Sequence, residues 1–357
     1  MTPPRAVFDG PGHPDATGSS AAHSEQAILQ RILSTAAPAS SPEWLEVGPG
    51  DDAAVLRVPT GRIVATTDTL VQGVDFLPHT TAPVLIGRKA AVQNLADVAA
   101  MGARPLALLA AVSVPAGTPT DVLTQITVGL TEQSQRWGAE LVGGDMGTGD
   151  ALSLTLTALG TLEEGQPPVL RSGARPGDVL AIGTAQLGRS AAGLALVLAD
   201  RCRIATDEHG ALRVQLIDVA TPGAEELLLW HNAPDPDLSI GWGSGRRARA
   251  MMDLSDGLSR DAARIASASN IVLELDRAVL ATDAEALRPL AHELNADPWD
   301  WVLHGGEEHA LLASFPAGAV PAGFRQIGQA RAPRDGEQPA VLLDGAPLPS
   351  QGWDHFA

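Results

Sequence analysis

The chain is poor in lysine, because only Lys89 accompanies the arginines among its 24 basic side chains, against 42 acidic ones. The formal net charge of −18 leaves no basic stripe to neutralise a nucleic-acid backbone. We therefore expect no nucleic-acid partner. The same negative charge repels free anions at long range, which favours substrates that arrive complexed with a metal ion.

Cysteine is equally scarce, since Cys202 is the only one in 357 residues. A single cysteine forms no intramolecular disulfide and excludes a cysteine-rich zinc site. The longest apolar runs, such as residues 106–114 and 191–199, fall short of the ~20 residues that span a bilayer. Residues 1–23 also lack the charged and apolar segments of a signal peptide. These absences predict a cytoplasmic protein with no membrane partner.

The length of the chain and its glycine- and proline-rich segments predict two domains. A chain of 357 residues is too long for one ordinary core and suits two domains of roughly 150 residues. Residues 1–23, rich in Pro, Gly, Ser and Asp, predict a disordered tail. A loop-like segment rich in glycine and proline, residues 163–177, marks the boundary. We expect an N-terminal domain over residues 24–162 and a C-terminal domain over residues 163–357.

Both halves mix helix and strand patterns. A helix is predicted over residues 84–101, in which Lys89, Gln93 and Asp97 recur at a spacing of four and share one polar face. Strands over residues 53–67 and 105–114 are too apolar for a solvated sheet and predict contact with a second subunit. In the second half a strand over 248–252 leads into a helix over 258–267, a second helix is expected near 284–294, and 201–247 shows no clear pattern.

Six short acidic segments recur along the chain, at residues 50–52, 66–68, 94–97, 143–145, 253–256 and 305–307. Carboxylates held beside glycines at strand ends are typical of a site for a hard cation. If these carboxylates converge, the pocket is too negative for a phosphate unless Mg²⁺ enters with it. The pattern therefore predicts phosphoryl transfer.

Simpler roles stay open for individual residues. Asp253 and Asp256 stand where a strand becomes a helix, and Ser and Asp are also favoured there as ordinary helix caps. Asp97 is a charge on an alanine-rich helix and could merely pair with Lys89.

Several common enzyme classes are disfavoured by missing motifs. The sequence has neither the G-x-G-x-x-G dinucleotide fingerprint nor a P-loop, because Lys89 follows Arg88 instead of a glycine. H-E-x-x-H and G-x-S-x-G motifs are absent as well, which weakens hydrolase interpretations.

Taken in order from about residue 24 to the C-terminus, the motifs resemble those of the thiamine-monophosphate kinases, a family in the aminoimidazole ribonucleotide synthetase superfamily. The matching segments begin at Gly50, Thr67, Lys89, Gly143, Arg171, Asp253 and Gly305. The resemblance implies an α+β fold with two-domain aminoimidazole ribonucleotide synthetase-like architecture and a homodimer built through the N-terminal sheets. It also implies direct in-line transfer from ATP to thiamine monophosphate, giving thiamine diphosphate, with Mg²⁺ as cofactor.

The resemblance also assigns roles to individual residues. The implied Mg²⁺ ligands are Asp52, Thr66, Thr67, Asp68, Asp97, Asp145, Asp253 and Asp256. The aspartates expected to be catalytic are Asp52, Asp97, Asp145, Asp253 and Asp256. ATP positions fall on Gly144, Asp145, Arg171 and Ser255, and positions for thiamine monophosphate fall on Asp75, Glu307 and Trp353. A carboxylate and an aromatic face both suit a cationic thiazolium ring.

The chain departs from the family pattern at a few places. Asp75 stands where the family often has histidine, with His79 nearby, and Trp230 and His231 replace an expected Arg-His pair. These changes keep a second hypothesis open, a catalytically silent protein that binds thiamine phosphates or regulates through them. Another ATP-using enzyme of the superfamily is the third, although selenophosphate synthetase and the hydrogenase-maturation dehydratase need a terminal cysteine and Cys202 lies mid-chain.

Overall fold

The computed structural model describes residues 31, 34–35, 42–47, 55–58, 61–206 and 212–352. The predicted tail over residues 1–23, the predicted metal ligand Asp52 and the predicted substrate contact Trp353 lie outside these ranges.

The N-terminal half contains a four-stranded mixed sheet covered by two helices on one face. Its elements are β1 Leu45–Val47, β2 Val55–Leu56, β3 Ile63–Val71, α1 Pro83–Ala100, β4 Arg104–Val114, α2 Thr120–Arg136, β5 Glu140–Thr148 and β6 Ser153–Thr161. The strand order is β3-β6-β4-β5, with β4 and β5 parallel and the other neighbours antiparallel. β1 and β2 form a separate two-stranded ladder.

The C-terminal half contains a seven-stranded sheet in the order β10-β12-β7-β13-β11-β14-β15. Its strands are β7 Asp178–Ile182, β8 Cys202–Thr206, β9 Leu212–Leu216, β10 Ala250–Asp253, β11 Val272–Leu275, β12 Leu311–Pro316, β13 Arg325–Arg331, β14 Ala340–Leu343 and β15 Ala346–Pro347. Its helices are α3 Arg189–Leu198, α4 Ala224–Asn232, α5 Ser239–Trp242, α6 Leu258–Ser269, α7 Arg277–Glu293 and α8 Pro298–His304.

The structure corrects the expectation for residues 201–247. Its described residues, 201–206 and 212–247, hold the β8–β9 hairpin and the short helices α4 and α5. The helix expected near 284–294 also begins earlier, because Asp276 accepts hydrogen bonds from the backbone N–H groups of Ala278 and Val279 and caps α7.

Helix α1 joins the two halves. Its 18 residues include 13 that are buried, and a helix that is buried all round has neighbours on every side. It packs on β3 and β6 of the first sheet and on β10 of the second. One hydrophobic core accordingly contains Leu154 from the first half together with Met251 and Phe315 from the second. The polar face of α1, which carries Lys89 and Asp97, therefore lies at the junction of the two halves, called the seam here.

Membrane-spanning character is missing from the described ranges, where no helix combines the length and apolarity needed to cross a bilayer.

Helices α1 and α2 cross where two glycines let their backbones touch. A Cβ atom on Gly129 would lie 1.9 Å from the carbonyl oxygen of Val84, and one on Gly87 would lie 2.0 Å from that of Ile126. We expect Gly129→Ala to lower the free energy of unfolding by about 1–3 kcal/mol, because the helices must separate. Thermal unfolding measures this, with Gln125→Ala on the same helix as control, and an unchanged Tm in Gly129→Ala would contradict the packing.

Candidate active site

The alternation of strand β3 sorts its polar residues onto two faces. Thr66 and Asp68 face the helices, because successive side chains of a strand point to opposite faces. Thr66 Oγ1 donates to Asp97 Oδ2 of α1 at 2.7 Å, and the backbone N–H of Asp68 donates to Asn94 Oδ1 at 3.0 Å. Thr67 faces outward and donates to the carbonyl of Leu156. The side chain of Thr67 is therefore directed away from Thr66 and Asp68.

Asp253, at the end of β10, is a third aspartate close to Asp68 and Asp97. Asp253 is buried, and its Oδ2 lies 3.3 Å from Nδ1 of His309. Burial would lower the pKa of His309, but Asp253 outweighs that effect, so the pKa of the imidazole is raised. A cationic imidazole next to Asp253 offsets part of the negative charge in the seam.

Asp256 follows on the turn before α6. Its Oδ2 accepts from Arg264 at 2.5 Å, and its backbone N–H donates to Asp261 Oδ2 at 3.0 Å. Arg264 also donates to Asp261 at 2.6 Å. Asp261 and Arg264, which the sequence analysis missed, thus hold the Asp256 turn in place from one face of α6. Their spacing of three on a helix that follows an acidic turn was the available signal.

Burial and mutual repulsion raise the pKa values of the clustered carboxyls. The pKa of Asp97 rises to about 7, first because the group is buried and next because Asp253 is near. Burial also raises the pKa of Asp68, an effect that His309 reduces and that Asp253 and Asp256 reinforce. The pKa of Asp261 rises to about 7 for the same reasons, burial and then Asp253. The seam therefore holds excess negative charge.

The donors in the seam suit a hard cation. Aspartate and threonine oxygens are the ligands that Mg²⁺ prefers, and the described part of the seam offers no thiolate. Within the described ranges, no three His, Cys, Asp or Glu side chains come close enough to hold a metal ion. The carboxylates share one cleft without forming a closed cage, since like charges repel and Thr66, His309 and Arg264 each hold one of them.

A cavity of about 620 Å³ opens beside these carboxylates. Thr66, Asp97 and Asp253 lie on its wall, and Arg171 from the loop between the two sheets lies on the wall as well. The remaining lining residues are mainly apolar, among them Ala100, Met101, Leu162, Pro168, Met251 and Met252. Arg62 lines the cavity too, and the combination of an acidic wall, two arginines and an apolar slot fits a metal-complexed nucleotide.

Within a single chain, Gly144 and Asp145 lie far from the aspartates of the seam. β5 is separated from β3 by β6 and β4, a distance of about 14 Å at ~4.8 Å per strand. Asp145 pairs with Ala111 on the outer, exposed face of the sheet, opposite to Asp68. Gly144 lies against β4 so closely that a Cβ would be 2.1 Å from the carbonyl oxygen of Ala110.

Lys89 does not pair with Asp97, which removes the simpler role left open for that aspartate. Its Nζ lies 2.6 Å from Glu307 Oε1 and donates to the carbonyl of Asp75 at 2.9 Å. The other carboxylate oxygen of Glu307 lies 3.3 Å from His231 Nδ1. Asp97 instead accepts from Thr66. Lys89 therefore pairs with Glu307 and does not neutralise Asp97.

The segment that carries Glu307 is held in an unusual conformation. Glu307 and His309 have φ angles of +57° and +51°, a left-handed region that non-glycine residues rarely adopt. Between them, the buried carboxylate of Glu308 accepts from the N–H of Ser190 at 2.8 Å and from Trp230 Nε1 at 3.0 Å. Burial raises the pKa of Glu308 to about 7. No local sequence pattern predicts the Glu308 contacts, because their partners lie on α3 and α4.

The carboxylate of Asp75 is engaged in its own turn. Asp75 Oδ2 accepts from the backbone N–H of Val71 at 2.7 Å, and the nearby His79 is exposed. Ser255, the predicted ATP contact, accepts at its carbonyl from the N–H of Glu307 at 2.7 Å. The structure thus ties the turn after β10 to the Glu307 segment.

The end of the described chain docks on the same turn. Gln351 accepts at its carbonyl from Ser259 Oγ at 2.7 Å. A Cβ on Gly352 would lie 2.0 Å from the carbonyl oxygen of Asp256, so only glycine allows this approach. The described chain therefore ends beside Asp256, one residue before Trp353 in the sequence.

Two α+β halves around an acidic seam define the class of AIR synthase-related proteins. The family model described as AIR synthase related protein, N-terminal domain, matches residues 50–162. A solved thiamine-monophosphate kinase from Stenotrophomonas maltophilia superposes with a TM-score of 0.70 at 29% identity, over 90% of this chain and 96% of that one. AaThiL complexed with AMPPCP and TMP superposes with a TM-score of 0.69 at 25% identity, over 96% and 100%.

The sequence comparison narrows the class to one family. A thiamine-monophosphate kinase of Mycobacterium tuberculosis is 42% identical over 335 residues, which are 93% of this chain and 91% of that protein. The chain belongs to the thiamine-monophosphate kinase family. The α+β fold and the family expected from the sequence motifs are confirmed.

The raised pKa of Asp97 predicts how stability depends on pH. In metal-free buffer the folded chain is destabilised progressively as the pH rises from about 4 to about 7, because the unfolded chain ionises Asp97 more easily. We expect Asp97→Asn to raise the free energy of unfolding by about 1–2 kcal/mol at about pH 8 and by less at about pH 5. With saturating Mg²⁺ the unchanged chain should become the more stable of the two, because the ion stabilises it more than it stabilises Asp97→Asn.

Thermal unfolding at both pH values, with and without Mg²⁺, measures these differences. A variant that is less stable than the unchanged chain at both pH values without metal would contradict the excess charge in the seam.

Proposed function

We propose that this chain transfers the γ-phosphoryl group of ATP to thiamine monophosphate, giving thiamine diphosphate and ADP. The observation that carries the proposal is the cavity in which Thr66, Asp97 and Asp253 lie on the same wall as Arg171. AaThiL, which shares the fold at 25% identity, has been solved with AMPPCP and TMP.

Mg²⁺ fits the donors of the seam. The described residues that would hold it are Thr66, Asp68, Asp97, Asp253 and Asp256. When bound, it supplies the positive charge that lets two phosphates approach each other among carboxylates. Asp52 and Thr67 remain predicted ligands, the first outside the described residues and the second through its main-chain oxygen, because its side chain points away.

The cavity residues bind and orient the donor. Arg171 can pair with phosphate oxygens, since a guanidinium matches their geometry with two parallel hydrogen bonds. The apolar part of the lining, with Met101, Leu162 and Met252, suits the base of the nucleotide. Gly144, Asp145 and Ser255 remain proposed nucleotide contacts.

Glu307 and Trp353 are the proposed contacts for the acceptor. Glu307 stays ionised, because Lys89 outweighs the effect of burial and lowers the pKa of the carboxyl. An ionised carboxylate and an aromatic face both suit the cationic ring of thiamine monophosphate, and Trp353 follows Gly352 in the sequence. Asp75 is a weaker proposal, since its carboxylate already accepts from Val71.

The proposed transfer is direct. An oxygen of the acceptor phosphate forms a bond to the γ-phosphorus of ATP while the bond to the bridging oxygen breaks, and ADP leaves. The acceptor phosphate, with a second pKa near ~6, is already ionised at neutral pH and needs no strong general base. The residues of the chain therefore act by positioning and by charge.

A cytoplasmic homodimer is the proposed form of the enzyme. The outer face of the N-terminal sheet exposes 53% of Ile63 and 38% of Leu109, which a second copy would cover. Asp145 lies on this outer face and cannot join Asp68 within one chain. As a metal ligand or nucleotide contact it must therefore act across the dimer.

Incubation of the protein with ATP, Mg²⁺ and thiamine monophosphate, followed by chromatography, tests the proposal. We expect thiamine diphosphate and ADP in equal amounts. Binding of thiamine monophosphate by calorimetry without any product would instead support a silent binding protein.

Asp253→Asn and Asp256→Asn should each abolish turnover without unfolding the chain. Each removes a charge from the seam and leaves the hydrophobic cores intact, so kcat should fall by at least about 10³-fold, or ~4 kcal/mol of barrier. Steady-state kinetics at saturating Mg²⁺ measures the loss. Asp344→Asn, in an exposed hairpin, is the matched control. Activity near that of the control in either variant would falsify its assignment as a ligand.

Mixing two inactive variants tests whether Asp145 acts across the dimer. If each site combines Asp145 of one chain with Asp253 of the other, Asp145→Asn and Asp253→Asn chains should complement each other after mixing and subunit exchange. Half of the dimers are then mixed and carry one intact site of two, so about a quarter of full activity returns. If both residues act in the same chain, mixing restores nothing.

A further inference from the structure

Lys89, Glu307 and His231 form a polar cluster, called here the Lys89 cluster, in the seam between the halves. Lys89 comes from α1, His231 from α4 and Glu307 from the segment after α8. Lys89 Nζ lies 2.6 Å from one carboxylate oxygen of Glu307, and His231 Nδ1 lies 3.3 Å from the other. Both oxygens of the carboxylate are therefore held from the protein side.

Exposure distinguishes the members of the Lys89 cluster. The side chain of Lys89 is 1% exposed and that of His231 is 7% exposed, whereas that of Glu307 is 30% exposed. The ammonium and the imidazole are thus buried, and Glu307 is the member of the cluster whose side chain an incoming molecule can reach. A salt bridge that served only to join the two halves would not need an accessible carboxylate.

The backbone around Glu307 restricts the carboxylate further. Glu307 adopts a φ of +57°, and its N–H donates to the carbonyl of Ser255 at 2.7 Å. A Cβ on Gly306 would lie 2.5 Å from that same carbonyl oxygen, so the segment fits tightly against the turn after β10. Non-glycine residues hold left-handed conformations where the surrounding structure enforces them, often at ligand sites.

Charge within the Lys89 cluster keeps Glu307 ionised. Burial would raise the pKa of this carboxyl, but the nearby positive charge, above all that of Lys89, lowers it. The pKa of His231 falls to about 4 because the ring is buried and Lys89 is close, so the imidazole is neutral near pH 7. The fixed positive charge behind Glu307 therefore comes from Lys89.

We propose that Lys89 is a positioning residue for the phosphoryl acceptor. Together with His231 it fixes the orientation of the Glu307 carboxylate, which then meets the cationic ring of the acceptor. The inference rests on the proposed function, and it adds two side chains, Lys89 and His231, that act through Glu307.

Lys89→Met tests this role, since it keeps the length of the side chain and removes the ammonium. We expect the KM for thiamine monophosphate to rise about tenfold while the KM for ATP stays within about twofold. Arg88→Met is the matched control, because Arg88 is the preceding residue of α1 and pairs with Glu132 at the surface. The control should leave both KM values unchanged.

The same substitution in a Glu307→Gln background separates positioning from direct contact. If Lys89 acts through Glu307, Lys89→Met should change the acceptor KM by less than about twofold there. An equal rise in both backgrounds would mean that Lys89 itself contacts the acceptor, and the positioning role would be wrong. If Lys89→Met lowers the Tm and leaves both KM values unchanged, the Lys89–Glu307 pair is only a structural salt bridge, and the inference is overturned as well.

The unchanged chain offers a second test that survives if Lys89→Met does not fold. Lys89 is the only lysine, so labelling with ¹⁵N-lysine gives a single side-chain ammonium signal. Thiamine monophosphate should shift this signal, and AMPPCP with Mg²⁺ should not. If the signal does not shift while calorimetry shows that thiamine monophosphate is bound, the inference is overturned and the proposed function is not. A chain that neither binds nor phosphorylates thiamine monophosphate would overturn the proposed function and the inference with it.

Discussion

The repulsion among aspartates in the seam is the constraint on which the rest of the structure depends. Asp68, Asp97 and Asp253 reach one cleft from three different elements, and burial together with proximity raises the pKa of Asp97 to about 7. Carboxylates arranged in this way destabilise a folded chain unless a cation joins them. The cleft is therefore maintained by other parts of the molecule, and it is suited to ligands that bring positive charge.

Helix α1 is the element that opposes this repulsion. It is buried on almost every side, and it belongs to a hydrophobic core that draws residues from both sheets. Its close crossing with α2 at Gly87 and Gly129 fixes its position relative to the first sheet. Because Lys89 and Asp97 both project from α1, the same helix sets the acceptor side and the metal side of the seam. Packing energy that is distributed over the core thus holds a charged site in place.

Local patterns in the sequence predicted the parts of the site that depend on local geometry. Helical spacing predicted that Lys89 and Asp97 share one face of α1. Strand alternation was overlooked for Thr67, whose side chain points away from those of Thr66 and Asp68. Contacts between distant segments were beyond such patterns: the pairing of Lys89 with Glu307 depends on how the halves pack. The sheet face on which Asp145 lies could not be predicted either. The β4–β5 register shifts between Leu108 and Leu109, and a slip of one residue moves a side chain to the opposite face of a strand. Residues 201–247 lacked a pattern because α4 and α5 are only nine and four residues long.

The acidic seam is, in our proposal, a cation site that fills when a nucleotide binds. Mn²⁺ can replace Mg²⁺ as a hard cation with oxygen ligands, and electron paramagnetic resonance distinguishes bound from free Mn²⁺. Titration of the protein with Mn²⁺ in the presence of AMPPCP should show bound ions in the unchanged chain and a loss of them in Asp253→Asn. Mn²⁺ that stays free while the nucleotide is bound to the unchanged chain would contradict the account.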